Sequence, residues 1–108
     1  MTDFYSISDL SFPNFPESIL SNTEAREAIV KSSAYFTLAL EEANINHTRD
    51  NLSAMVTDAT YELQTDCSAE EYLELCVQEL AIAEGNLPED SNTRDELRYL
   101  REAIERRQ

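Results

Sequence analysis

The residues best placed to do chemistry fall in CSAEEYLELCVQELAIAEGN, residues 67–86, which holds two thiols among a ladder of carboxylates and apolar side chains. Cys67 follows Asp66 at a helix start, where the helix dipole lowers a thiol pKa while Asp66, Glu70 and Glu71 raise it. These influences oppose each other, and no histidine or basic side chain lies next to it in sequence to act as its base, so an unreactive thiol is expected. Cys76 recurs in helical register with Tyr72, Leu73, Val77, Leu80 and Ala83, which makes it a small core residue. His47 is the single histidine and sits in a turn. A carboxylate dinuclear site built on Glu-x-x-His fails there because Asn44 stands where the acid is required. The only glycine, Gly85, reads as a helix stop, so no glycine-rich phosphate loop exists. The expectation is a protein that is not an enzyme and uses no metal or other cofactor.

The carboxylates themselves point elsewhere. Glu70, Glu71 and Glu74 share one polar sector of a helix, and Asp58 with Glu62 forms a second row on the preceding helix. Residues four apart on a helix stand about 6 Å from each other. Successive phosphates of a nucleic-acid strand have a similar spacing, so such rows can present the charge pattern of a duplex to a basic cleft. On the far edge of the same sector Leu75 and Ile82 stand together, separated from the main apolar stripe by Glu79. They are expected to be covered by the N-terminal segment or to meet a partner.

Such rows need a rigid scaffold, and the composition supplies one. The chain has 108 residues, 42% hydrophobic, one glycine and three prolines, which suits one helical domain and lacks the turn residues of sandwiches and barrels. It carries 22 acids against 8 bases, net −14. Residues 1–92 hold 18 acids and 3 bases, net −15, while residues 93–108 hold 4 acids and 5 arginines, net +1. This charge repels nucleic acid and anionic membranes, so direct binding to either is not expected and partners should be basic proteins. The start MTDFYSISDL has neither a basic region nor an apolar run, and two cysteines without Cys-x-x-Cys spacing suit free thiols in a reducing cytoplasm.

The punctuation predicts an all-α, four-helix bundle-like fold over residues 21–108, with residues 1–20 an irregular segment packed across the helices by Phe4, Tyr5, Leu10, Phe12 and Phe15. Helices are expected at about 21–43, 48–64, 68–84 and 93–107. Capping boxes start three of them, at Ser21 with Glu24, Ser68 with Glu71, and Thr93 with Glu96, and Thr48 caps the fourth. The first helix carries a broad stripe (Ala25, Ala28, Ile29, Ser32, Tyr35, Phe36, Ala39, Leu40, Ala43) and a second, narrower one (Val30, Ala34, Leu38), so it should be covered on two faces. Leu52, Met55, Val56, Ala59 and Leu63 form the core face of the second helix, and Leu97, Leu100 and Ile104 that of the last. Gly85 is expected to take the left-handed position that ends the third helix, with Leu87 folding back and Pro88 forbidding continuation. The arginines of the last helix are expected to pair with its own Glu102 and Glu105.

In size and charge the chain resembles the small acidic helical proteins that phages and mobile elements use against defence nucleases, and also bacteriocin immunity proteins and some antitoxins. The likeness is one of composition, with no motif behind it. It implies an inhibitor that docks its acidic surface on the basic site of a nucleic-acid-binding enzyme. The alternative class is a helical adaptor or assembly factor that uses apolar grooves such as the Leu75/Ile82 edge, and homodimerisation remains open.

Overall fold

The computed structural model describes residues 22–43 and 54–107. Within them lie four helices and no strand: α1 (Thr23–Glu42), α2 (Ala54–Leu63), α3 (Ala69–Gly85) and α4 (Asn92–Arg107). The all-α fold expected from the 3.6-residue stripes is therefore present. The N-terminal segment, the turn with His47, the Thr48 cap and Leu52 lie outside the described residues.

The helices stack in the order α2, α1, α3, α4, each packing on the next. α1 and α3 form the central pair, and two cross-links show that they run antiparallel. The Asn22 side-chain amide at the start of α1 donates to the Asn86 carbonyl after α3 (2.9 Å). The Tyr35 and Tyr72 rings meet at 6.4 Å between centroids, tilted by 31°.

Because α1 lies between α2 and α3, most of both stripes is buried. Ala25, Ala28, Ile29, Phe36, Ala39 and Leu40 of the broad stripe enter the main core, and Leu38 of the narrower stripe joins the same cluster; Ala34 is buried and Val30 is half-buried. Ser32, Ser33 and Thr37 are buried as well. Ser32 and Thr37 donate their hydroxyls to the carbonyls of Ile29 and Ser33, both at 2.9 Å, so the backbone of their own helix satisfies these two side chains. From α3 and α4 the core takes Tyr72, Leu73, Cys76, Leu80, Ala83, Leu97, Leu100 and Ile104, the residues that the periodicity selects. Burying one such Leu or Ile side chain contributes about 1.5–3 kcal/mol.

Three helix ends differ from the sequence reading. Asn22, not Ser21, caps α1: its side-chain oxygen accepts from the Ala25 N–H at 3.0 Å while its amide nitrogen donates to the Asn86 carbonyl, so one side chain caps the helix and ties it to the end of α3. Ser91 caps α4 in place of Thr93, its hydroxyl accepting from Arg94 N–H (3.3 Å) and its carbonyl from Asp95 N–H (3.2 Å). Gly85 is not left-handed. It is the last residue of α3, and Asn86 ends the helix at φ −107°, ψ 5°, with the Asn86 and Leu87 N–H groups bonded to Ala83 and Glu84 carbonyls. Leu87 does fold back into the core. The Ser68/Glu71 capping box is formed in both directions, at 3.2 Å and 3.0 Å.

Candidate functional site: an acidic surface on two helices

Glu70, Glu71 and Glu74 are all exposed on the first turns of α3, and Asp58 and Glu62 are exposed on α2. Glu70 with Glu74 and Asp58 with Glu62 are each one helical turn apart. None of the four enters the ion pairs among the described residues, which join Arg98 to Asp95 and Arg101 to Glu84 and Glu105. The two rows do not fuse into one ridge through helix packing, since α2 and α3 each pack on α1 rather than on each other. The connection 64–68 runs between them and carries the exposed Asp66.

That connection is held from inside. Tyr72 is fully buried, yet its hydroxyl donates to the Thr65 carbonyl and accepts from the Thr65 N–H (3.0 Å). A buried phenol thereby satisfies both of its hydrogen-bonding functions and fixes where α3 begins relative to α2.

Glu71 is not equivalent to its neighbours. Hydrogen bonds from Ser68, the backbone N–H first, hold its carboxyl below the ordinary range. One of its oxygens serves the helix cap, so replacing Glu71 disturbs the fold as well as the surface charge. Glu70 and Glu74 carry no such duty.

The apolar edge does not stand as the sequence pattern suggests. Leu75 is half-buried and packs against the core cluster, while Ile82 is 50% exposed. The cause is the width of the buried arc of α3, which packs on α1 and α4 together. Met55 departs in the opposite sense: placed on the α2 core face by periodicity, it lies at the rim of that stripe and is 42% exposed.

Both cysteines are free thiols. Burial, with a smaller contribution from the Glu79 carboxylate, pushes the Cys76 thiol far above its ordinary value, so it stays protonated. Cys67 is half-buried with its sulfur 2.9 Å from the Thr65 hydroxyl. Burial also pushes the Tyr35 phenol up, followed by Glu79, Cys67 and Tyr72. Desolvation raises the Glu79 carboxyl, opposed by Lys31. At Cys76, Tyr35 and Glu79 burial thus favours the neutral form. Among the described residues no group of three or more His, Cys, Asp or Glu side chains is arranged to hold a metal ion. Nor is any of these helices long and apolar enough to cross a membrane.

The pair Glu84–Arg101 escaped the sequence reading. Glu84 is buried at the end of α3, and the Arg101 guanidinium of α4 grips it through Nε (2.6 Å) and Nη2 (3.2 Å) while Nη1 reaches Glu105 (2.7 Å). The signal was present, because Glu84 falls inside the apolar arc of α3, where an acid needs a cation. Arg101 pairs with Glu105 of its own helix, as expected, and in addition clamps α4 to α3 through Glu84.

No family model matches the chain, and neither curated proteins nor solved structures show a match to it.

Proposed function

We infer that the protein is a non-catalytic inhibitor that docks its acidic surface onto the basic site of a nucleic-acid-binding enzyme, standing in for the phosphate backbone. The observation that carries the reading is the pair of exposed rows, Asp58/Glu62 and Glu70/Glu74, on helices fixed to one core and engaged by no cation of the described residues. A net charge of −14 exceeds the magnitude of about 2–8 that solubility requires in a small domain. The free thiols suit a reducing cytoplasm. The adaptor reading loses half of its apolar edge, since Leu75 belongs to the core packing.

The test takes a partner recovered from native lysate and asks whether duplex DNA or RNA competes with this protein for it. Competition is expected. Glu70→Arg, Glu74→Arg and Asp58→Arg together should abolish binding without unfolding the chain, Glu71 being left in place because it caps α3. Simultaneous occupation of the partner by nucleic acid and this protein would contradict the reading.

A further inference from the structure

The outer face of α2 is more than acidic. At 100° per residue Tyr61, Asp58, Glu62 and Met55 follow one another around about one third of the helix, opposite the buried Val56. All four are exposed, Tyr61 at 71%. The two carboxylates thus lie between an aromatic ring and a flexible thioether side chain. Exposing a large aromatic ring and a methionine on a ten-residue helix forgoes burial energy, and Tyr and Met are residue types enriched at interface cores. On α3 the exposed carboxylates Glu70 and Glu74 have no such neighbours: Leu75 is drawn into the core, and Ile82 lies two or more turns away.

We propose that the α2 face Met55–Asp58–Tyr61–Glu62 is the docking point for an arginine-bearing segment of a partner protein. This rests on the acidic-surface reading and moves its centre from α3 to α2. A guanidinium is planar and weakly hydrated, so it can pair its edge with Asp58 or Glu62 while its face stacks on Tyr61 and its alkyl stem lies along Met55. A lysine ammonium is a compact, strongly hydrated charge that satisfies the carboxylates and gains less from the ring. Charge complementarity selects a basic protein segment over nucleic acid, and the ring and thioether select arginine over lysine.

The experiment titrates the full-length, isotopically labelled chain with octa-arginine and with octa-lysine, following backbone amide shifts by NMR. Octa-arginine is expected to bind about two- to fivefold more tightly, the gain of an exposed cation–π contact, with the shifts centred on α2. Tyr61→Ala should erase the difference between the peptides and leave the melting temperature unchanged. Equal affinity for both peptides, shifts spread over Glu70 and Glu74, and indifference to Tyr61→Ala would overturn the α2 docking point while leaving the acidic-surface reading intact. Binding of neither peptide would overturn both. Sedimentation without peptide supplies the remaining outcome: self-association lost in Tyr61→Ala would make the occupant a second copy and overturn the arginine assignment.

Discussion

The two outer helices, α2 and α4, occupy equivalent places at the ends of the stack and are held there differently. α4 buries Leu97, Leu100 and Ile104 and adds the Arg101–Glu84 clamp. α2 buries Val56 alone, supported by the half-buried Leu63, and turns Met55, Tyr61, Asp58 and Glu62 outward. The difference teaches where the chain puts its side chains to use: α4 exposes Tyr99 but is fastened by its buried stripe and the clamp, while α2 has little such fastening and leaves Met55, Tyr61, Asp58 and Glu62 unused by its own fold. The charge follows the same division, with every acid of the two rows and hardly a base in residues 1–92.

The comparison breaks first on truncation. Leu97→Ala or Ile104→Ala should cost about 2–5 kcal/mol in denaturant unfolding, whereas Tyr61→Ala should stay within roughly 0.5 kcal/mol. A costly Tyr61→Ala would mean that α2 is packed as tightly as α4.

Next in size is the clamp. Glu84→Ala leaves a partly buried guanidinium without its main partner and should cost about 2–3 kcal/mol. Replacing Glu84 and Arg101 together by leucine should be nearly neutral, because the pair's desolvation offsets much of its attraction. Unfolding measured on the double variant and on the single variants Glu84→Leu and Arg101→Leu closes the cycle.

The turn into α4 offers a gain. Gly85 is helical, and a Cβ there would meet nothing within 4 Å. Gly85→Ala should therefore stabilise by about 0.4–1 kcal/mol. A loss would restore the left-handed assignment.

The smallest effect concerns Glu79, a half-buried carboxyl that lacks the clamp of Glu84. Desolvation raises it above the ordinary 4.5, against Lys31. A raised carboxyl destabilises the fold where it is ionised, so its cost is absent below pH 4.5 and sets in as pH rises through the folded value. Glu79→Gln should raise the melting temperature slightly at neutral pH and have no effect in acid. Glu71 has the opposite sign: its stabilisation is present above the ordinary value and is lost as pH falls through its lowered one.

The core of this molecule was legible because its stripes are periodic: Ile29, Phe36, Leu73, Cys76, Leu80, Leu97 and Ile104 are buried where the 3.6-residue repeat puts them. The Ser68/Glu71 box was equally plain, since all its partners are local. What the pattern missed depends on residues distant in sequence. Asn22 outcompetes Ser21 through its bond to Asn86, Glu84 is buried because Arg101 comes from another helix, and Leu75 joins the core because α3 is packed on two sides. For the candidate site, the carboxylate rows were visible as charge and spacing. The exposure of Met55 and Tyr61 was not, because periodicity gives only their angle around α2 and the packing decides how much of that angle is covered.

The most direct test of the acidic-surface account is the affinity for the recovered partner measured against salt. Affinity should fall by about tenfold or more between roughly 50 and 300 mM sodium chloride, as the charges on both proteins are screened. That dependence should flatten when Asp58, Glu62, Glu70 and Glu74 are changed to their amides. An affinity indifferent to salt in the native chain, and lost instead on Ile82→Glu, would contradict the account and assign the contact to an apolar surface.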